Sequence, residues 1–418
     1  MSERLAIRGG TPVRSRPFPA WPISDSTDEQ ALLRVLHSGR WGRLNGEEVG
    51  RFERAFAAYQ EARHGIAVTN GTASLRLAVL AAGLRAGDEV IVPPYTFIAT
   101  ASAVIEANGT PIFVDIEPET YNLDPDLIEA AITPRTRAIV PVHFAGLAAD
   151  MDRILAIARR HGLAVIEDCA HAHGSTYKGR KVGALGDLGS FSFQSSKNLT
   201  SGEGGIILTN DDRLAADCFS LHHVGRPAGG AWYEHHNPGG NYRMTEFQAA
   251  LLGSQLVRLE AQTVTRDANG PRLDHGLAAV PGLRPLARGC HGETRHAYHL
   301  YIVRYDPDAF GGAPLAAFCA AMNAEGVPCG PGYSIPLYRQ ELFTRMNFGA
   351  FNGYCNARPD LDYRTVSCPA CEQACREACW IAQSVLLGSA ADMDDIVAAA
   401  AKVQRLHGGL SGLATASA

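Results

Sequence analysis

The sequence predicts an α/β protein built on a mainly parallel sheet covered by helices on both faces, followed by a smaller α+β region. Three observations carry that expectation. Between about residues 65 and 210, short β-rich apolar runs alternate with longer stretches whose apolar residues recur every three to four positions. Past about residue 250 the texture changes, with one long helical run followed by strand-like and then helical segments. The chain has 418 residues, 46% hydrophobic and 19% charged, which is ample for a large buried core and for two or more domains.

The expected strands are 65–69, 89–92, 112–116, 138–142, 164–167, 189–193 and 205–209. Helices are expected over 72–82, 126–131 and 150–161, the last with a capped start at Asp150 and Arg153. A long helix over 245–267 leads into HAYHLYIVRY, which reads as a strand, and then into a helix over 314–325. These elements suggest a large domain over 1–270, with an N-terminal arm, and a small C-terminal domain over 271–418. The Ala/Gly/Ser-rich tail from Gly408 to Ala418 is expected to fray.

Composition narrows the function. A net charge of −5 and the absence of a long Lys/Arg run leave no electrostatic footprint for nucleic acid or an anionic membrane. The most apolar stretch, Val90 to Ile105, is interrupted by Pro93, Pro94, Tyr95 and Thr96 and is too short to span a bilayer. MSERLAIRGGTPVR lacks the apolar core of a signal peptide, so a cytoplasmic protein with mostly reduced cysteines is expected, and the sequons at Asn108 and Asn198 are chance matches. A small molecule is the expected partner.

In a parallel sheet, ligands gather beyond the carboxyl ends of the strands. Asn70-Gly71-Thr72-Ala73-Ser74 follows the first strand and opens a helix, offering a glycine, a hydroxyl and amides for an anion such as phosphate; the same residues also read as a turn and cap. Asp168 ends the strand LAVIE, where it can point into a crevice or simply cap a turn. His171 and His173 beyond it lack a metal-ligand template and read as structural. Lys197 follows a strand end in SFSFQSSKNLTSGEGG; most lysines are surface charges, but a desolvated one can form a Schiff base. An anion seat, a strand-end aspartate and a strand-end lysine together are what pyridoxal phosphate requires: one holds the phosphate, one pairs with the pyridine nitrogen, one joins the aldehyde.

With SGRW, AVTNGTASL, GDEVIVPPYTF, PIFVDIEPETYNLDP, AIVPVHFAG, VIEDCAHAHGS, FSFQSSKNLTSGEGG and GNYRMTEFQAAL on the page, the chain resembles the DegT/DnrJ/EryC1/StrS family of sugar and cyclitol aminotransferases from Leu5 to about His407. The resemblance implies the fold-type I pyridoxal-phosphate architecture. It implies that Lys197 bonds to the cofactor, Asp168 meets the pyridine nitrogen, Phe97 stacks on the ring and His171 approaches the phenolic oxygen. Gly71, Thr72, Ala73 and Ser192 would hold the phosphate, with Asn241 supplied by the other subunit of a homodimer. Family members transfer an amino group from glutamine or glutamate to a ketone of a cyclitol or sugar, often in antibiotic biosynthesis.

Family dehydratases replace the lysine by histidine, whereas Lys197 is present here. FSFQSSK with SGEGG is similar to the ring-ketone aminotransferases and aminohydroxybenzoate synthases, although the histidine pair that follows the tryptophan in several relatives is replaced by Ile381, Ala382 and Gln383 after Trp380. An aminohydroxybenzoate-type synthase and a non-catalytic regulatory protein that retains the cofactor are therefore the alternatives. Cys368, Cys371, Cys375 and Cys379 match no zinc knuckle or iron–sulfur run; the last three recur every four residues, which predicts a buried helical stripe without metal.

Overall fold

The structure is a computed structural model that describes residues 3–351 and 358–413. Its first half is organised on β1 (His64–Val68), β2 (Glu89–Val92), β3 (Thr110–Phe113), β4 (Thr136–Ile139), β5 (Ala164–Asp168), the two-residue β6 (Thr176–Tyr177) and β7 (Arg180–Lys181), β8 (Leu188–Ser192) and β9 (Gly205–Thr209). Seven of these form one sheet in the order β1-β9-β8-β5-β4-β2-β3. Only β9 runs against the others. The expected strands are all present, displaced by up to three residues at their ends.

Successive residues of these strands enter opposite cores, as a pleated strand requires. Val90, Val92, Ile166 and Ile207 join one apolar cluster with Leu75, Ala78, Val104 and Leu214, from helices Gly71–Ala81, Ala99–Glu106 and Asp212–His222. Ile91, Val165, Ile206 and Leu208 join another with Phe52, Phe56, Ile154 and Leu252, from helices Glu48–Tyr59, Met151–His161 and Glu246–Ala278. Burial on both faces explains why β8 and β9 carry no exposed residue. Helix Ala99–Glu106 was not expected, because it continues an apolar run that has no period of its own.

Helix Glu246–Ala278 begins at the Thr245/Gln248 capping box and continues through Pro271, well past the expected end. The division expected at residue 270 therefore falls inside it. Its last turns place Leu273 and Leu277 against a third apolar cluster beside an antiparallel sheet ordered β10-β12-β14-β13. These strands are β10 (Leu283–Pro285), β12 (Leu300–Tyr305), β13 (Gly330–Pro331) and β14 (Ala378–Ala382), with β11 (Glu293–Arg295) pairing with β6. Two stretches cross the expected division: Leu5 is buried in this third cluster, while Tyr338, Phe343 and Tyr363 pack on Phe113 of the first.

The cysteine stripe needs correction. Helix Pro369–Glu377 holds Cys371 and Cys375 but ends before Cys379, which lies on β14. The helix stops because chain 378–382 pairs with β12 and β13. The tail also differs from expectation in part: Leu410 is buried, and residues 414–418 lie outside the described residues. Among the described residues, no helix is long and apolar enough to cross a membrane.

The N-terminal segment is fixed by a buried carboxylate. Glu325 accepts from the amides of Ala6 and Val13 at 2.8 and 3.0 Å, and from Lys402 Nζ at 2.8 Å. Removing one member of such a buried pair costs about 3 to 5 kcal/mol. Glu325→Ala is accordingly expected to lower the urea midpoint and to free the N-terminal segment for proteolysis ahead of the rest. An unchanged midpoint and digestion pattern would contradict this assignment.

Candidate active site

The carboxyl ends of β1, β5 and β8 open on one cavity of about 1020 Å³, because these strands run in the same direction. Gly71, Thr72, Ala73, Phe97, Asp168, His171, Ser192 and Lys197 all line it. Asn241 does not; its side chain is exposed, although its neighbour Tyr242 lines one edge of the cavity.

The anion seat is the start of helix Gly71–Ala81. Asn70 caps it, accepting from the Ala73 amide at 2.8 Å, so the Ala73 N–H is already engaged. The amides of Gly71 and Thr72 lie in the first turn, where no intrahelical acceptor exists. Gly71 is required by close approach: a Cβ there would lie 2.6 Å from Ser192 Cβ. The missing side chain lets the hydroxyl-bearing end of β8 meet the helix terminus.

Asp168 and Lys197 form the polar floor. Asp168 accepts from the Thr100 hydroxyl at 2.8 Å and from the Ala170 amide at 3.1 Å, but its burial outweighs these donors and raises its pKa. Burial lowers the Lys197 amine to about 8, with the charge of Asp168 opposing the shift. Lys197 is thus a base that is partly neutral close to physiological pH.

Two histidines lie over this floor. The rings of His171 and His299 are 4.2 Å apart, and burial holds both well below the usual histidine range. His171 Nδ1 accepts from the Ala145 amide at 3.3 Å, which assigns its proton to Nε2. Ala145 itself has φ 57°, a left-handed conformation uncommon for a residue with a Cβ. His173 turns away into the aromatic core, where Nε2 donates to the Ser192 carbonyl at 2.9 Å. The two histidines of this motif therefore have separate roles.

The opposite wall is formed by residues that the strand-end argument does not reach. Trp21 arrives from the N-terminal segment and donates from Nε1 to the Ser195 carbonyl at 2.9 Å. Tyr333, Trp380 and Gln383 come from the second sheet and its connections, with Trp380 4.8 Å from Tyr333 and nearly perpendicular to it. Arg266, buried in the long helix, donates to the Gln383 carbonyl at 3.3 Å and to its side-chain oxygen, and lies 5.6 Å from the Trp21 ring. The aromatic and histidine content of HAYHLYIVRY and ACWIAQ was the available sequence signal for this wall.

A strand-end lysine, a buried carboxylate and a helix terminus on a seven-stranded, mainly parallel sheet define the fold-type I transferase architecture. The chain belongs to the DegT/DnrJ/EryC1/StrS aminotransferase family, whose family model matches residues 22–400. It is 43% identical over 425 residues to the L-glutamine:2-deoxy-scyllo-inosose aminotransferase of Streptoalloteichus tenebrarius, covering 98% of this chain and 100% of the relative. The protein of the same name from Streptomyces fradiae is 42% identical, with 98% and 99% covered. Among solved structures, a 3-amino-5-hydroxybenzoic acid synthase superposes with a TM-score of 0.86 at 34% identity, covering 94% of this chain and 100% of that one.

The lowered pKa of Lys197 has a direct consequence in the cofactor-free protein. Its acylation by acetic anhydride, followed by peptide mass spectrometry, is expected to rise through a pH of about 8. In Asp168→Asn the rise should move to lower pH, because the opposing negative charge is gone. A rise in the range of ordinary lysines, about 10.4, would refute the burial of this amine.

Proposed function

We propose that this aminotransferase holds pyridoxal 5'-phosphate in the cavity and carries the amino group of L-glutamine to the ketone of a cyclitol, 2-deoxy-scyllo-inosose or a close analogue. The observation that carries this reading is the convergence of Lys197, Asp168 and the Gly71–Thr72 helix start in one cavity. The donor set fits the cofactor group by group. The cradle left by Gly71 beside Ser192 suits a phosphate, the buried carboxyl of Asp168 suits a ring cation, and the Lys197 amine suits an aldehyde. When bound, pyridoxal phosphate supplies that aldehyde and a ring that withdraws electrons from the reacting carbon.

The chain's own groups then have definable tasks. Thr72 and Ser192 hydroxyls and the first helix amides hold the phosphate; the Ala73 amide joins them only by leaving Asn70. Asp168, whose pKa is raised by burial, would be held as a carboxylate by a protonated ring nitrogen, and Thr100 keeps it oriented. Lys197, with its amine lowered to about 8, would hold the cofactor through its aldehyde and could carry the donor's proton. His171 offers Nε2–H as a neutral donor to the phenolic oxygen, and the half-exposed ring of Phe97 offers a stacking face. Trp21, Tyr333 and Trp380 give aromatic faces to a polyhydroxylated ring, beside the amide of Gln383.

Glutamine as donor and an inosose as acceptor are favoured by the full-length relatives at 43% and 42% identity, against 34% for the hydroxybenzoate synthase. The full-length relatives named as aminotransferases favour an enzyme over a non-catalytic binding protein. We place the reaction in the cytoplasm and in aminoglycoside-type biosynthesis. The site is shared between two subunits of a homodimer: the exposed Asn241, outside its own cavity, serves the partner's phosphate.

The holoenzyme's visible cofactor band is expected to bleach with L-glutamine and to return on adding 2-deoxy-scyllo-inosose. Bleaching without return with any keto-cyclitol would overturn the acceptor class; no bleaching with glutamine or glutamate would overturn the reaction. The shared site has its own test. Lys197→Ala and Asn241→Ala subunits, each inactive alone, are expected to regain activity after subunit exchange, because each mixed dimer contains one site without a lesion. If Asn241 served its own chain, every site would keep one lesion and exchange would restore nothing.

A further inference from the structure

A second cluster of reactive side chains lies in the third core, apart from the groups assigned to the reaction. Cys319 lies in helix Leu315–Ala324, Cys329 immediately before β13, and Cys379 on β14. Their sulfurs all lie within 4.8 Å of one another, and those of Cys319 and Cys379 are 3.7 Å apart. Cys319 and Cys379 are buried, whereas Cys329 is partly exposed. Asn323 holds the cluster in register, donating at 2.7 Å to the carbonyls of both Cys319 and Cys329.

This arrangement matches the requirements of a thiophilic cation. Zinc bonds to sulfur at about 2.3 Å in a tetrahedron, which places adjacent sulfurs about 3.8 Å apart. The Cys319–Cys379 spacing of 3.7 Å is already of that size, across two elements separated by 60 residues. We propose that Cys319, Cys329 and Cys379 form a three-thiolate site for a zinc-class divalent cation, with solvent as the fourth ligand. Among the described residues, no other histidine, cysteine or carboxylate joins the cluster, so the fourth position is left to solvent. Binding replaces three metal–water bonds by three metal–sulfur bonds and releases the remaining thiol protons to solvent, with no change of oxidation state.

The thiols must give up their protons to bind the ion, so affinity should increase with pH. The ion would tie helix, connecting chain and strand together directly behind Trp380, the residue after Cys379, and so stiffen one wall of the cavity. Cys368 and Cys371 belong to the first core cluster instead, with Cys375 packed against it, and take no part.

Purified holoenzyme, kept reduced with a phosphine, is incubated with zinc chloride, desalted and assayed for zinc by atomic absorption. About one equivalent per chain is expected, lost in Cys329→Ser and retained in Cys371→Ser. Cobalt(II) in place of zinc is expected to show tetrahedral ligand-field bands in the red, where the cofactor is transparent, and, in a difference spectrum against the metal-free holoenzyme, sulfur-to-metal charge transfer in the near-ultraviolet. Because Cys329 is partly exposed, its variant reports on the site even where replacing the buried Cys319 or Cys379 prevents folding. Equal zinc in wild type and Cys329→Ser, or cobalt bound without a sulfur band, would overturn the proposal.

Discussion

Asp168 and Lys197 share one buried cavity floor, and burial displaces their pKa values in opposite directions. Their mutual attraction offsets only part of that penalty. A carboxylate and an ammonium removed from water are stable together only if the surroundings supply further partners. Here the supply is sparse by protein groups alone: one hydroxyl and one amide reach Asp168. A ring cation and an aldehyde would complete both, so the two groups suit such a ligand better than they suit each other.

Much of the remaining fold serves to hold this floor and its walls in place. Strands that run in one direction bring the ends of β1, β5 and β8 to the same edge. Just beneath, the buried His143–Glu167 pair fixes the end of β5: His143 Nε2 and Glu167 are 2.9 Å apart, and Glu167 also accepts from the amides of Gly183, Leu185 and Gly186. The far wall depends on longer connections. Glu325 and Lys402 pin the N-terminal segment that carries Trp21, and Arg266 couples Trp21 to Gln383 across the long helix. This wall of the cavity is thus assembled from three parts of the chain that are far apart in sequence.

That assembly explains what was legible in the sequence. Strands buried on both faces announce themselves as apolar runs, and polar groups at or beyond their ends, such as Asp168 and Lys197, can be singled out by position, although only their combination and the family motifs suggested roles for them. Trp21, His299 and Gln383 were not found, because no local pattern connects residues brought together by packing. Cys379 was misplaced for a related reason: a four-residue spacing fits a helix, but pairing with β12 and β13 outweighs that local preference. The Ala73 amide shows a finer limit, since the motif marks the turn but not that Asn70 already occupies its N–H.

Covalent capture of the cofactor by one lysine is the central chemical claim, and borohydride reduction of the holoenzyme followed by peptide mapping tests it most directly. The reduced cofactor is expected on the peptide containing Lys197, with Lys197→Ala carrying none. Cofactor mass on another lysine, or on no lysine while the visible band is lost, would contradict the assignment of this cavity as the site of the reaction.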